Sequence, residues 1–149
     1  MDTNKAHLLA KTLMLKYKLN DWSFEFDSAK KRFGCCNHRR KVISLSCILT
    51  DLNDEDKVRD TILHEIAHAL LGCGYGHSRI FKLKCVEVGC QPRRAYGSEV
   101  IIPKAKYTVH CLDCGYEFQA NKRFVKVWHK ICHRKLGDKC QYLIYTENK

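Results

Sequence analysis

Proline is almost missing from this chain: two residues in 149, Pro92 and Pro103. Long apolar runs are missing too. None approaches the roughly 18–20 residues that a bilayer-spanning helix needs. Met1-Asp2-Thr3-Asn4-Lys5 leads into a stretch broken by lysines, not into the apolar core of a signal peptide. Internal repeats and low-complexity tracts are absent, and a 45% hydrophobic content argues against wholesale disorder. The expectation is a soluble, intracellular monomer of the cytoplasm, nucleoid or nucleus, with no membrane partner. Acidic side chains are scarce, 16 Asp and Glu against 27 Lys and Arg, for a formal net charge of +11. Such an excess points to a polyanionic partner, nucleic acid foremost.

What the chain has in quantity is ten cysteines and eight histidines. In a reducing compartment ten cysteines are not a disulfide framework. They are metal ligands, catalytic thiols or small buried side chains. The charge is uneven: residues 1–103 hold 17 basic and 12 acidic side chains, residues 104–149 hold 10 and 4. The two prolines bracket the change, and the stretch 91–98 reads as irregular connection. Two domains are expected, 1–103 and 104–149.

Ala6, Leu9, Ala10, Leu13, Met14 and Tyr17 recur at helical spacing, so the chain opens on an amphipathic helix. Trp22–Phe26 alternates like a half-buried strand, and Val42–Ser46 is a second strand candidate. Residues 30–41 read as a basic connection with Gly34 and Asn37 as turn formers. Asn53 is the expected N-cap of a second helix, with Asp54, Glu55 and Asp56 in its first turn. Val58, Ile62, Ile66, Ala69 and Leu70 form its apolar face, and Gly72, Gly74 and Gly76 end it. A third helix is expected over 78–88, with Ile80, Phe81, Leu83 and Val86 inward.

The second helix carries His64-Glu65-Ile66-Ala67-His68. Histidines at i and i+4 project from one helical face, so their imidazoles can meet at one ion. Glu65 is offset enough to miss the metal yet close to its open coordination position. Zinc on three protein ligands keeps a water of lowered pKa, and a carboxylate beside that water can act as general base and then acid. This is the arrangement of zinc metalloproteases. His77 is the candidate third ligand, because the glycine-rich run before it lets the chain fold back onto the helix. Eight residues separate it from His68, where metzincins leave five.

These segments resemble the SprT-like family in order and spacing. They are Trp22–Phe26, the Ala29–Cys36 stretch, Ile43–Ser46 and His64–Leu70, with Gly76-His77 matching the family's third ligand. The resemblance covers about residues 5–90 and extends to Spartan-like members. It implies a zincin-like helical metalloprotease domain in which His64, His68 and His77 hold catalytic zinc and Glu65 is the general base. It also implies protein substrates bound or crosslinked to DNA, single-stranded or damaged. The Cys35-Cys36 pair departs from the family, which often keeps one cysteine there.

A second metal site is expected downstream. Cys111-Leu112-Asp113-Cys114-Gly115 is a zinc knuckle, flanked by strand-like Lys106–His110. Cys140 precedes another strand-like run, Gln141–Tyr145. The pattern is that of a zinc ribbon. The partner of Cys140 is left open by the residues among His129, Cys132 and His133; the resemblance favours His133. One catalytic and one structural zinc ion are therefore expected, the second on Cys111, Cys114, His133 and Cys140. Aromatic and basic residues interleave through 104–149, as in modules that contact nucleic acid. Cys47, Cys73, Cys85 and Cys90 lack ligand spacing and are expected as small buried side chains.

The fold class expected is α+β: a helical metalloprotease domain with a short antiparallel sheet, then a small zinc ribbon. The expected function is a zinc-dependent metalloendopeptidase acting on DNA-bound or DNA-crosslinked proteins. A zinc-stabilised nucleic-acid-binding or regulatory protein with little proteolysis is the alternative, and a peptidase of free proteins with no DNA role a third.

Overall fold

The structure is a computed structural model and describes residues 1–93, 97 and 99–148. Part of the expected connection, residues 94–96 and 98, lies outside the described residues. The chain divides into two units, Met1–Pro103 and Lys104–Lys149. Its class is α+β, with one small three-stranded sheet in each unit.

In the first unit, helix α1 (Thr3–Lys16) starts at Asp2, whose carboxylate accepts the N–H groups of Asn4 and Lys5. It buries Ala6, Ala10, Leu13 and Met14, the stripe its spacing predicts. Three strands follow: β1 (Ser23–Asp27), β2 (Gly34–Asn37) and β3 (Val42–Ser46). β3 is central and buried along its whole length. It runs parallel to β1, with Phe24 opposite Ile43, and antiparallel to β2, with Gly34 opposite Leu45. The sheet is therefore mixed, not antiparallel as expected. The basic connection also hides a strand. Gly-Cys-Cys-Asn has no apolar alternation to announce β2; its ladder to β3 and its packing on the metal-bearing helix hold it. The turn itself lies later, where the Asn37 side chain accepts the Arg40 N–H.

A short helix α2 (Cys47–Leu52), capped by the Ser46 hydroxyl, was not expected. Asn53 closes it and is not the N-cap of the next helix. Its buried amide donates to the Leu49 and Ile101 carbonyls and accepts the Ile101 N–H. Those bonds satisfy a group that would be costly to bury unpaired, and the cap passes to Asp54, which accepts the Lys57 N–H.

Helix α3 (Glu55–Leu71) buries Val58, Ile62, Leu63, Ile66 and Ala67 and packs against α1, β2, β3 and α4 (Arg79–Val88). Each fully buried aliphatic side chain of this kind contributes about 1.5–3 kcal/mol relative to exposure. Leu70, expected inward, is exposed. On α4 the inward residues are Phe81, Cys85 and Val88. Ile80, Leu83 and Val86 face solvent instead of the core. Apolar residues stand on both sides of this helix, so periodicity alone leaves its rotation open.

The second unit has β4 (Tyr107–His110), β5 (Glu117–Ala120) and β6 (Ile144–Glu147), antiparallel in the order β5-β4-β6. β6 lies three residues beyond the expected start of its strand. Helix α5 (Lys130–Leu136) and a single 3-10 turn (Gly137–Lys139) fill the long connection. Among the described residues its buried apolar side chains are Val109, Cys111, Cys132 and Cys140. No described helix is long and apolar enough to cross a membrane.

Candidate metal centres

The first centre is assembled by α3 and the turn after it. His64 and His68 lie one helical turn apart, and α3 ends at Gly72. Gly72, Gly74 and Gly76 have φ of 82°, 96° and 48°, a left-handed path that a side chain disfavours. That path returns His77 to the helix. The Nε2 atoms of His68 and His77 are 3.3 Å apart, as are those of His77 and His64. Two nitrogens each about 2.05 Å from a tetrahedral zinc lie about 3.3 Å apart, so the three imidazoles fit that ion. Phe81 of α4 supports them, with ring centroids 4.8, 4.1 and 5.0 Å from His64, His68 and His77.

Electrostatics keeps the ligands ready. Burial, then His77 and Arg93, holds His64 down to about 4. Burial, then His64, His77 and His38, does the same for His68, also about 4. Both are neutral at physiological pH, the form that binds metal.

Glu65 is buried, with 7% of its surface exposed. Burial pushes its carboxyl up to about 8, against the opposing influence of Arg32 and the Cys36 backbone N–H. Space for it comes from Gly34 on β2. A Cβ there would sit 2.7 Å from Glu65 Oε1, 2.8 Å from its Cγ and 2.9 Å from Thr61 Cγ2. Glu65 and the three histidines border a cleft of about 510 Å3 that Cys36, His38 and Cys73 also line. Cys73, expected buried, is exposed, while Cys85 and Cys90 are buried and Cys47 is half-buried. Burial, then the nearby Glu65, pushes Cys36 up to about 12, so it stays a neutral thiol.

The second centre differs from the expected ligand set. Cys111 and Cys114 meet His129 and Cys132, with all four ligand atoms within 4.8 Å of one another. The Sγ atoms of Cys111 and Cys132 are 3.7 Å apart, and His129 Nδ1 is 3.3 and 3.4 Å from the sulfurs of Cys114 and Cys132. For zinc–sulfur bonds of about 2.3 Å, tetrahedral geometry places sulfurs about 3.7 Å apart and sulfur about 3.5 Å from nitrogen. The set fits zinc. The knuckle closes through Gly115, at φ 68°, whose N–H donates to the Cys111 carbonyl at 2.8 Å. The Tyr116 N–H, followed by neighbouring thiols and His129, lowers Cys114 to about 7.

His133 and Cys140 are not brought into this cluster. The His133 ring stacks on Trp128 at 4.8 Å, and its Nδ1 lies 3.1 Å from the Gly137 carbonyl oxygen. The 3-10 turn delivers Cys140 to Asp113, whose Oδ2 accepts its thiol at 3.1 Å and the Gln141 N–H at 2.9 Å. The sequence held a signal for the pair that the structure brings to Cys111 and Cys114. His129-Lys130-Ile131-Cys132 repeats the two-residue spacing of Cys111 and Cys114, and it falls at the start of a helix, where one turn brings both side chains to the same side.

A sequence-family model described as the SprT-like family matches residues 4–102. No curated protein matches the chain. The SprT-like family is associated with metallopeptidases.

Proposed function

Because the chain belongs to the SprT-like family, we propose that it is a zinc-dependent metalloendopeptidase with a zincin-like catalytic domain, acting on proteins bound or crosslinked to DNA. The observation that carries the reading is the convergence of three imidazoles, with Nε2 atoms 3.3 Å apart in the His68–His77 and His77–His64 pairs, beside the buried Glu65 carboxyl group. A purely structural site has no use for Glu65 at that position. His64, His68 and His77 would hold the zinc ion, which when bound would supply Lewis acidity toward the scissile carbonyl and a water of pKa near 7.

The chain's own residues do the rest. Glu65 takes the proton of the attacking water onto a carboxylate oxygen and returns it to the leaving amine. Its burial excludes bulk water and favours the protonated form between those events. The missing side chain at Gly34 leaves the space in which the carboxylate lies. Among the described residues β2 is paired on one edge only, and its residues Gly34, Cys35 and Cys36 line the cleft. An extended peptide can add to the free edge through backbone hydrogen bonds and come to rest beside Glu65.

The DNA part of the reading is supported by the second unit. Tyr116, Phe124, Trp128 and Tyr142 are exposed there, although a unit this small has few apolar groups to spare for its core. Lys122, Arg123, Lys126 and Lys130 accompany them in sequence. Exposed rings stack on unpaired bases, and cations neutralise phosphates.

The test compares wild type with Glu65→Gln, each incubated with single-stranded DNA, duplex DNA or none, following self-cleavage and cleavage of a DNA-bound protein. The expected result is DNA-dependent cleavage by wild type and a loss of roughly 10²–10⁴ in the variant, with zinc retained. Equal activity of the two proteins would sink the mechanism. Activity indifferent to DNA would remove the crosslink substrate and leave a peptidase of free proteins.

A further inference from the structure

Cys36, His38 and Cys73 line the cleft of the first centre, yet they stand outside its His64–His68–His77 group. All three are metal-ligating types. Cys36 lies on β2 and His38 follows two residues later, a spacing that turns both side chains to one side of an extended chain. The Cys36 Sγ is 3.7 Å from His38 Nε2. Zinc held by one sulfur and one nitrogen in tetrahedral geometry places them about 3.5 Å apart, so a small shift admits the ion. The Trp22 ring meets the His38 ring edge-on at 5.5 Å, which limits rotation of the imidazole. Cys73 supplies a second sulfur. It is exposed on the glycine-rich turn between α3 and His77. Negative charge on it acts on Cys36, so the two thiols are neighbours in the cleft. Water completes a set of four ligands.

The surroundings favour a cation. After burial, Glu65, Cys35 and Cys73 oppose a bare thiolate on Cys36, because each places negative charge beside it. The same charges attract a dication that takes the place of the thiol proton. Thiolate and imidazole donors select zinc over magnesium or calcium. The affinity is held down by two costs. A buried thiol must give up its proton, and His38 is close enough to His68 for its charge to act there. An ion at Cys36 and His38 is therefore repelled by one on the first centre. It binds more weakly than the ions of the two centres and leaves on gel filtration.

We propose that Cys36, His38 and Cys73 form a further, inhibitory zinc site in this cleft. The inhibition rests on the peptidase reading; the binding does not. An ion held there occupies the cleft beside β2 and pulls on the turn that carries His77. The test uses the full chain with both centres loaded, a non-thiol reductant and single-stranded DNA. Zinc or magnesium is added in excess. Equilibrium dialysis counts bound ions, alkylation probes Cys73, and cleavage of a DNA-bound protein is followed. Wild type should take up a third zinc ion, protect Cys73 from alkylation and lose cleavage in step with that occupancy. Magnesium should do none of these. Cys36→Ser and His38→Ala should each weaken the third ion by about 100-fold or more, since even an outer-shell partner is worth about 10–100-fold. Cys73→Ser should weaken it too, and all three variants should keep the first two ions. Cleavage is compared with and without the third ion within each variant, so a change in basal rate cancels. Failure of wild type to take up a third ion would overturn the site. So would a third ion that survives Cys36→Ser or His38→Ala, or equal uptake of magnesium. A third ion indifferent to Cys73→Ser would overturn the part given to the turn. A third ion without loss of cleavage would overturn the inhibition. Absence of cleavage by wild type before excess zinc is added would overturn the peptidase reading, and ion uptake would still decide the site.

Discussion

A glycine can matter for the side chain it admits. Gly34 faces Glu65 and Thr61 so closely that Gly34→Ala must displace the carboxylate or the strand. The expected cost is about 1–3 kcal/mol of stability, as in other overpacked cores, with a drop in kcat that exceeds any loss of zinc. Metal analysis beside steady-state kinetics checks it. Asp27 works at a distance. Burial alone would raise its pKa, but the Ala29 N–H, the Ser44 hydroxyl and Arg32 together bring it below the usual carboxylate value. Its contribution to stability is therefore full above the unfolded value of about 4 and is lost as pH falls through the lower folded value. Asp27→Asn should lower the urea midpoint at pH 7, with the gap to wild type closing in acid. At this scale the first centre was legible in the sequence, because a helix fixes the i, i+4 relation and the glycines announce the return. The second was half legible. Choosing between His129 and His133 requires the start of α5 and the rotation of each ring, which neighbouring residues do not encode.

Elements show where sequence patterns stop deciding. α1, β1, β3 and α3 have one apolar face or none to dispute, and they fall within a residue or two of expectation. β2 has no periodic signal because its register comes from β3 and its packing from α3. α4 has two apolar stripes, and the core chose the one containing Phe81. That choice is measurable. Phe81→Ala should cost about 3–5 kcal/mol and weaken zinc binding, since the ring lies under all three imidazoles. Leu83→Glu, on the exposed stripe, should change stability by about 0.5 kcal/mol or less. Denaturant unfolding of both variants distinguishes this orientation of the helix from its reverse.

For the molecule, the two units differ in what holds them. Met1–Pro103 has a continuous core from α1 through α4. Lys104–Lys149 buries little apolar surface beyond its cysteines, and chains this short rarely fold on a hydrophobic core alone. Strong chelation should therefore collapse the amide dispersion of residues 104–148 in an NMR spectrum and leave most of the first unit's resonances in place. Zinc content should be near two ions per chain in wild type. His129→Ala or Cys132→Ala should reduce it toward one, and His133→Ala or Cys140→Ala should leave it unchanged. The uneven distribution of charge was visible in composition. A structural metal in the second unit was expected from the Cys111–Cys114 spacing, but which downstream cysteines are buried beside that pair was not, because composition does not place Cys132 and Cys140.

The three ligands of the first centre are unequal in how they are carried. His64 and His68 are held in register by helical hydrogen bonds, whereas His77 arrives on a path with three left-handed glycines. The expected order of ion capture is therefore the two helical nitrogens first and His77 second, with release in reverse, so the turn should govern how long an ion stays bound. Gly76→Ala, adding about 1–2 kcal/mol of left-handed strain, should shorten that residence by roughly tenfold or more in a chelator-chase experiment.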